Sequence, residues 1–435
     1  MEFNTLFITK LMTNMKRKIL TLSVFMMMMA IALLDSCKKS NPAPIDLGTL
    51  MIGNIDLNAA VAPTNVPVNP TITATFSTEV DAATATTSTI TLTEDYDNVS
   101  IPLNIDVSGK VVTITPADLL ANGALYKLDI TSGLKATNGE MLTAVNRSFT
   151  TTGTFLPAGM VAYWNFDGNA NDQTGTYDPS GVTDITYVAG RNSASGQAAE
   201  FNGTTSLIEI PNGDMLENSQ DFSISFWMKD DTTAKRDQFV LGLAAWFGFQ
   251  FEYNSNIYGT GDNAQIGQCK LAAQYSISDG TSTSQDLWLD GLGATKDNGG
   301  WQGWTFSKNL VAGGGTGVNG LLAQKWAHVV CTYDHTTKIG TMYINGEEMK
   351  AQDFNLYPAP LLNATGLKFA GNADNNALVF GFIQDKVDPT VTDSWADYSN
   401  PANGHFQGLL DDVAIYHSVL TPDLITLMYN SGKPN

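Results

Sequence analysis

Five aromatic residues lie in glycine-rich stretches of the second half of the chain, among Asp, Asn and Gln side chains. Trp288, Trp301 and Trp304 fall between residues 246 and 324, and Trp395 and Tyr398 fall in the stretch TVTDSWADYSNPANG. Flat aromatic rings stack on the CH groups of sugar rings, and polar neighbours then bind the hydroxyls. The composition therefore predicts a glycan-binding site at one or more of these residues. The alternative is that each tryptophan packs its own loop onto the core.

Oxygen-bearing side chains accompany the segments predicted as the first and last strands of the second half. Asp167, Asn169 and Asp172 follow the first segment, and Asp411 opens the last one. Calcium takes 6 to 8 oxygen ligands, so these residues are candidate ligands. Asp-Gly-Asn also forms turns without a metal. Both interpretations stay open at this point.

Catalytic signatures are missing from the sequence. Glycan hydrolysis needs paired carboxylates, and neither E-x-D-x-E nor E-x-D-x-x-E occurs. The motifs H-E-x-x-H and G-x-S-x-G are absent as well, and the four histidines are scattered. We therefore expect no enzyme activity, although an unfamiliar carboxylate pair such as Asp286 with Asp290 is left open.

Length and charge limit the class of protein. A chain of 435 residues is long enough for two or three domains. Only 15% of residues are charged, and short apolar runs alternate with Thr, Gly and Asn, which favours an all-β fold. The net charge of −20 would repel a phosphate backbone, so nucleic acid is not an expected partner.

The N-terminus has a basic segment, Lys16 to Lys18, followed by the apolar run Ile19 to Leu34. That run has 16 residues, short of the roughly 20 that span a membrane, so an uncleaved anchor is the weaker alternative. The sequence Leu34-Asp35-Ser36-Cys37 resembles a bacterial lipobox, with Asp35 departing from the usual small or apolar residue. The resemblance implies a signal peptide over 1–36, a lipidated Cys37 as membrane anchor and a tether over 37–51. It also implies an outer-membrane lipoprotein, on the periplasmic or the surface-exposed face.

Residues 52–153 read as about seven short strands with turn signals at Ser108-Gly109 and Asn122-Gly123, the spacing of an Ig-like sandwich. The segments ATFSTEVD, TPADLLANGALYKLDI and GLKATNGEML, with the closing SFTT, resemble the bacterial Ig-like domain of S-layer type. The resemblance implies a β-sandwich that serves as a spacer or stalk.

A small, turn-prone link from Gly153 to Gly159 leads into residues 154–435, which have longer strands with more aromatic residues. Within them, 325–349 reads as a hairpin with a polar connection at Asp334 to Lys338, followed by a second turn at Asn345-Gly346. Five ordered blocks are similar to LamG-like domains: WNFDGNANDQTG, AAEFNGTTSLIEIP, DFSISFWMK, the hairpin, and GHFQGLLDDVAIYHSVLTPDLITLMYNSG. The similarity implies a concanavalin A-like jelly roll with a short C-terminal helix, capped by Thr421 and Pro422. It also implies a structural calcium.

These observations predict a lipid-anchored extracytoplasmic protein in which an Ig-like stalk presents a jelly roll that binds a glycan or glycoprotein without catalysis. A structural or adhesive protein without glycan specificity is the runner-up. A glycoside hydrolase or lyase with an unrecognised site comes third. The sequence leaves open whether Cys269 and Cys331 pair; the strand pattern favours Cys331 as a small buried side chain. Ligand identity and oligomeric state are also open.

Overall fold

A computed structural model describes residues 12–13, 15–16, 44–233, 237–293, 304–373, 376–383 and 404–434, with the backbone alone for residues 304 and 305. The predicted lipobox at 34–37, with Cys37, and the residues Trp301, Trp395 and Tyr398 lie outside the described residues, as does all of the predicted signal peptide except residues 12–13 and 15–16. Among the residues described, no helix is long and apolar enough to cross a membrane.

The N-terminal unit is a sandwich of two antiparallel sheets, which confirms the Ig-like prediction. One sheet has the order β2-β1-β3-β7-β6 and the other β5-β4-β8-β9. The strands are β1 (Leu47–Ile52), β2 (Ile55–Asp56), β3 (Ile72–Phe76), β4 (Ile90–Glu94), β5 (Ser100–Ile101), β6 (Leu103–Ser108), β7 (Val111–Pro116), β8 (Leu125–Ile130) and β9 (Val145–Thr150). Because β1 pairs with β3 from Leu47 onward, the last part of the predicted tether is a strand of this sandwich.

The C-terminal unit contains two larger sheets, which we call the large sheet and the small sheet. The large sheet has the order β12-β13-β26-β15-β21-β22-β23-β20, with β10 also pairing with β26. Its strands are β10 (Met160–Trp164), β12 (Thr186–Ala189), β13 (Gln197–Asn202), β15 (Phe222–Asp230), β20 (Trp304–Ser307), β21 (Trp326–Asp334), β22 (Ile339–Ile344), β23 (Glu347–Asp353) and β26 (Gln407–Tyr416).

The small sheet has the order β11-β14-β25-β16-β17-β18-β19, with β24 pairing with β18. Its strands are β11 (Gly181–Thr183), β14 (Leu207–Ile210), β16 (Asp237–Gly242), β17 (Phe249–Tyr258), β18 (Gln265–Ile277), β19 (Ser282–Leu289), β24 (Ala364–Leu367) and β25 (Leu378–Phe380). Between residues 44 and 434, the described part of the chain also has three α-helices: α1 (Gly213–Glu217), α2 (Asn319–Leu322) and α3 (Pro422–Gly432).

Strict alternation along the strands places one face of each sheet in a shared core. Phe222, Ile224, Phe226 and Met228 of β15 face this core and contact side chains of the small sheet, such as Phe251. Because side chains alternate across a strand, the intervening residues point outward. The predicted hairpin is present as β21 and β22, joined through residues 335–338. The second predicted turn joins β22 to β23, with Asn345 and Gly346 at positive φ (55° and 78°).

Helix α3 begins where the sequence predicts. The Thr421 hydroxyl accepts a hydrogen bond from the Leu424 N–H, and Pro422 occupies the first turn. The buried residues Ile425 and Met428 face the outer side of the large sheet, where the Trp227 ring stacks on Tyr429. Sequence patterning therefore predicted the start of this helix.

The segment 153–159, predicted as a turn-prone link, is packed between the two units rather than free in solvent. Phe155 is 2% exposed, and its ring meets Tyr96 of the first sandwich edge to face at 4.9 Å between centroids. Its N–H donates to the Ser431 hydroxyl at the end of α3, at 3.3 Å. One apolar cluster joins the first core to outward residues of the large sheet, among them Val330 and Tyr416. The Ig-like sandwich is therefore docked on the jelly roll.

Candidate functional site

The outward face of strands β17, β18 and β19 carries a row of polar side chains that ends in an aromatic ring. Glu252 is the register partner of Lys270, and Lys270 is the partner of Trp288. Their neighbours along each strand, such as Leu271 and Leu287, face the core. Since the strands alternate strictly, the three residues share the outward face.

Lys270 holds two carboxylates together on this face. Its Nζ lies 2.9 Å from Glu252 Oε1 and 3.1 Å from Asp286 Oδ2. All three side chains are partly exposed, at 24%, 27% and 28%. Burial acts to lower the pKa of Lys270, but the charges of Glu252 and Asp286 outweigh it and raise that pKa. The lysine therefore remains a cation at neutral pH.

The pKa of Glu252 is also raised, because burial outweighs the attraction of Lys270. One oxygen of Glu252 and one of Asp286 bond the same nitrogen, so these two oxygens can be no farther apart than their two distances to that nitrogen added together. The spacing of about 5 to 5.5 Å found in retaining glycosidases lies within this limit. A carboxylate pair thus exists on two strands, where no motif within a single strand could reveal it.

Trp288 borders a concave site beside this triad. A cavity of about 140 Å³ is lined by Glu252, Asn254, Gln268, Cys269, Lys270 and Trp288. Trp288 is partly exposed, unlike the core aromatic residues on the opposite faces of these strands. An aromatic face beside amide, ammonium and carboxylate groups offers stacking together with hydrogen-bond donors and acceptors, the combination that sugar rings require.

The loop that carries Trp301 begins and ends beside this face. It follows β19, where the Leu310 N–H donates to the Gly291 carbonyl at 2.8 Å. It leads to Trp304 in β20, and Trp304 is the register partner of Gln352. The Gln352 amide in turn donates to the main-chain oxygen of Asp286 at 3.0 Å. The structure therefore places the strand of Trp304 close to the strand of Trp288.

The second predicted loop, which carries Trp395 and Tyr398, is anchored on the other side of the same face. Before it, the Ile383 carbonyl accepts from the Ala245 N–H at 3.3 Å. After it, the Gly404 carbonyl accepts from the Phe239 N–H at 2.7 Å. Phe239 lies in β16 and pairs with Glu252. The described ends of both loops thus flank the row of Glu252, Lys270 and Trp288.

Trp246 is an exposed aromatic residue that the sequence analysis did not single out. It lies in the connection between β16 and β17, is 37% exposed and packs beside Phe247 at 5.9 Å between ring centroids. The preceding Ala244 and Ala245 both have φ of 50°. Left-handed backbone costs an alanine roughly 1 to 2 kcal/mol, so a turn is not expected at two consecutive alanines. The sequence therefore gives no signal for this loop.

Asp172, one of the predicted calcium ligands, is occupied by hydrogen bonds within its own turn. Its carboxylate accepts from the N–H groups of Tyr163, Thr174, Thr176 and Tyr177 and from the Thr174 hydroxyl. Burial acts to raise the pKa of Asp172, but these hydrogen bonds outweigh it and lower that pKa. The residue stabilises its turn without requiring a metal.

The other predicted ligands also have protein partners. Asp167 Oδ1 accepts from the Gln197 N–H at 2.7 Å, and Asn169 Oδ1 accepts from the Asn171 N–H at 2.8 Å. Asp411 is paired with a buried arginine, as described below. The carboxylates of Asp167, Asp172 and Asp411 do not form a group with oxygens within 4.8 Å of one another. The three carboxylates therefore do not converge on one point, and the structural calcium stays a prediction.

A buried charge network explains the position of Asp411. The Arg191 guanidinium bonds Asp411 and Asp412, and its side chain is fully buried. It also donates to the Gly432 carbonyl at 2.7 Å and lies 4.3 Å above the Trp227 ring. Burial, followed by the charge of Asp412, raises the pKa of Asp411 well above its usual range despite Arg191. The network therefore ties β26 to the end of α3.

Cys269 and Cys331 are both free and buried. The Cys269 thiol lies 3.7 Å from the Met342 sulfur, within the core between the large sheet and the small sheet. Burial raises the pKa of both thiols. They serve here as small core side chains.

The comparison with family models agrees with the fold of the first unit. Residues 56–151 match the family model described as a bacterial Ig-like domain. No curated protein matches the chain. Among solved structures, the chain is similar to domain 4 of AbnA, a GH43 extracellular arabinanase from Geobacillus stearothermophilus, in complex with arabinotriose. That match has 20% identity and a TM-score of 0.37, and it covers 63% of this chain and 100% of that domain.

Two further matches are botulinum neurotoxin domains. The receptor-binding domain of type G has 13% identity, a TM-score of 0.36 and coverage of 64% of this chain and 54% of that one. The serotype D ligand-binding domain, in complex with N-acetylneuraminic acid, has 13% identity, a TM-score of 0.37 and coverage of 63% and 54%. The chain thus spans about half of these toxin domains. Because identities and TM-scores are low, the assignment of function depends on the residues of this chain.

Proposed function

We propose that this chain is a lipid-anchored extracytoplasmic protein that binds a glycan or glycoprotein through the outward face of β17, β18 and β19, without catalysis. The observation that carries the proposal is the row of Glu252, Lys270 and Trp288. A partly exposed indole lies beside a lysine and two carboxylates on a rigid sheet. Side chains on regular strands are already ordered before a ligand binds, which reduces the entropic cost of binding a sugar.

The same geometry explains why we favour binding over hydrolysis. A retaining hydrolase places the anomeric carbon between its two carboxylates. Here the Nζ of Lys270 lies between Glu252 and Asp286 and bonds both. A hydrolase is nevertheless the second candidate, because two carboxylates lie beside each other on this face and the pKa of Glu252 is raised.

The anchor and its location form a separate part of the proposal. Cys37 would carry the lipid, and the short segment between Cys37 and β1 would connect it to the docked Ig-like sandwich. The LamG-like blocks agree with the jelly-roll architecture of the second unit, and we propose membership of that family on those blocks. Metabolic labelling with a radioactive fatty acid should mark the wild-type chain, whereas Cys37→Ser should remain unlabelled.

The binding experiment compares Trp288→Ala with Trp288→Tyr on a glycan array, followed by calorimetry with any glycan that binds. The tyrosine variant keeps a flat ring and is the matched control. We expect the alanine variant to lose at least about tenfold in affinity, which corresponds to about 1.4 kcal/mol, and the tyrosine variant to lose less. Lys270→Gln should weaken binding as well, because it removes the ammonium donor.

Three results would contradict parts of this proposal. Binding to no glycan on a broad array would leave the structural or adhesive role. Equal affinity of Trp288→Ala and wild type would move the site elsewhere on the molecule. Release of reducing ends from a bound polysaccharide, lost in Glu252→Gln, would show that the face is catalytic.

A further inference from the structure

A second exposed aromatic ring lies on the face of the small sheet that carries Trp288. Tyr258 is the last residue of β17 and is 49% exposed. Its hydroxyl accepts a hydrogen bond from the Asn254 side-chain amide at 3.4 Å. Asn254 lines the cavity beside Trp288. The ring of Tyr258 therefore stands at the far end of the same surface.

Side-chain contacts establish this position, because the alternation of β17 is interrupted. The register with β18 shifts between Asn254 and Ile257, which is the mark of a β-bulge. Beyond the bulge, Tyr258 pairs with Gln265. The Gln265 side chain bonds that of Gln268, which lines the cavity on the outward face. Both members of the last pair thus belong to this face.

Amide side chains connect the two aromatic positions. Asn254 and Gln268 lie at the cavity beside Trp288. The Gln268 Nε2 donates to Gln265 Oε1 at 2.7 Å, and the Gln265 Nε2 donates to Asp290 Oδ2 at 3.2 Å. An amide carries both donors and acceptors, so it can bond a sugar hydroxyl in either direction. The polar surface continues from the cavity to the end of β17.

The two rings are too far apart for one sugar to touch both. Trp288 pairs with Lys270, whereas Tyr258 pairs with Gln265, further along β18. At about 3.3 Å per residue along a strand and about 4.8 Å between strands, the two aromatic residues are on the order of 15 to 20 Å apart. Only a ligand with several consecutive rings spans this distance.

The charges on the face favour a neutral ligand. Lys270 is bonded by both Glu252 and Asp286, so the carboxylates outnumber the ammonium group. Asp237, which pairs with Asn254, adds a further exposed carboxylate. Like charges repel across an interface, so uronic or sulfated chains are disfavoured.

We propose that this face binds an internal segment of a linear, neutral polysaccharide, with Trp288 and Tyr258 each stacking on a different ring of the same chain. The inference rests on the function proposed for the face and names its class of ligand. The amides of Asn254, Gln265 and Gln268 bond hydroxyls of the sugars between the two rings. A terminal sugar of a branched glycan would need only the cavity beside Trp288.

The test measures how affinity depends on chain length. The full chain in detergent solution is applied to an array of linear gluco-, xylo- and manno-oligosaccharides, from disaccharide to hexasaccharide, and calorimetry follows for each series that binds. We expect the hexasaccharide to bind at least about tenfold more tightly than the disaccharide. Tyr258→Ala should weaken hexasaccharide binding about threefold to tenfold and leave disaccharide binding unchanged. Trp288→Ala should weaken the binding of both.

Two variants serve as controls. Tyr258→Phe keeps the ring and should retain the hexasaccharide affinity. Ile257→Ala removes the adjacent side chain, which is 60% exposed, and should also leave the affinity unchanged. Thermal melts of the variants show that each one is folded. An equal loss in Ile257→Ala would attribute the effect to the end of the strand rather than to the aromatic ring, and the inference would fail.

The remaining outcomes separate this inference from the function on which it rests. Equal affinity for disaccharide and hexasaccharide, both weakened by Trp288→Ala, would overturn the extended site and keep a glycan site at Trp288. Wild-type hexasaccharide affinity in Tyr258→Ala would overturn it as well. Binding to none of the linear oligosaccharides would also overturn it, and glycan binding at this face would then depend on the broad array alone.

Discussion

Replacing Arg191 by methionine is the most informative perturbation of stability. The side chain is fully buried and bonds Asp411, Asp412 and the Gly432 carbonyl. It also donates to the hydroxyl of Thr154 in the connecting segment, at 3.3 Å. Arg191 therefore joins β26, the end of α3 and the connection between the two units.

Methionine would fill much of the volume but leave Asp411 and Asp412 without a counter-charge. Removing one partner of a buried ion pair costs about 3 to 5 kcal/mol, because the remaining charge stays desolvated. That is a large fraction of the about 5 to 15 kcal/mol that stabilises typical domains. Asp412 keeps hydrogen bonds from Tyr163 and Thr154, so we expect a value near the lower end of this range.

The penalty should depend on pH. Arg191 acts to lower the pKa of Asp411, which burial already raises, so that pKa rises further when Arg191 is removed. The folded variant then binds more protons than the unfolded chain, and its stability falls as pH rises above about 4. Urea unfolding followed by tryptophan fluorescence should therefore show a larger loss at about pH 8 than at about pH 5.

The control is Arg147→Met in the Ig-like sandwich, where the guanidinium bonds the Asn58 side chain and the Asn146 carbonyl rather than a carboxylate. It should cost less than about 1 kcal/mol. A loss of that small size for Arg191→Met would refute the reasoning, as would a loss independent of pH. Adding Asp411→Asn and Asp412→Asn to Arg191→Met should restore part of the stability, because the uncompensated charges are then absent.

Three further predictions concern other parts of the molecule. Asp230→Asn should become more stable than wild type as pH rises from about 4 to 8, by at most about 1.4 kcal/mol per pH unit in denaturant titrations. The reason is that burial raises the pKa of Asp230 to about 8, so the wild-type folded state must give up a proton that the unfolded chain has already lost. Phe155→Ala should cost about 3 to 5 kcal/mol and separate the melting of the two sandwiches into two calorimetric transitions, since it opens a cavity at their contact. Chelation by EDTA should leave the melting temperature unchanged, because the candidate calcium ligands do not converge; a clear drop would restore the structural calcium.

Local rules account for the parts of the fold that the sequence predicts. The period of two in β15 and β21 determines which side chains face the core, and Asn345-Gly346 tolerates the positive φ values of a tight turn. The Thr421-Pro422 pair marks the start of α3. Each of these signals lies within a few residues, so no tertiary information is required.

Contacts between residues that are far apart in the chain could not be predicted from the sequence. Glu252 lacks any acidic partner at the spacing of a single-strand motif, because Asp286 lies two strands away across Lys270. The sequence of the connecting segment 153–159 predicts only a turn-prone link. The packing of its Phe155 depends on Tyr96, which lies far away in the sequence, in the Ig-like sandwich. The buried partner of Asp411 is Arg191, 220 positions earlier in the chain.

Docking of the Ig-like sandwich determines which surfaces of the jelly roll can bind ligands. The outward residues Val330, Tyr343 and Tyr416 of the large sheet belong to the apolar cluster of the first sandwich and α3, so that part of the sheet is covered. Another part of the same sheet lines a cleft of about 720 Å³ that includes Glu200 and Lys229, and the small sheet presents Trp288. Since the first sandwich is packed against the large sheet, it cannot act as a freely moving stalk. It instead fixes the orientation of the Trp288 face relative to the first strand of the Ig-like sandwich.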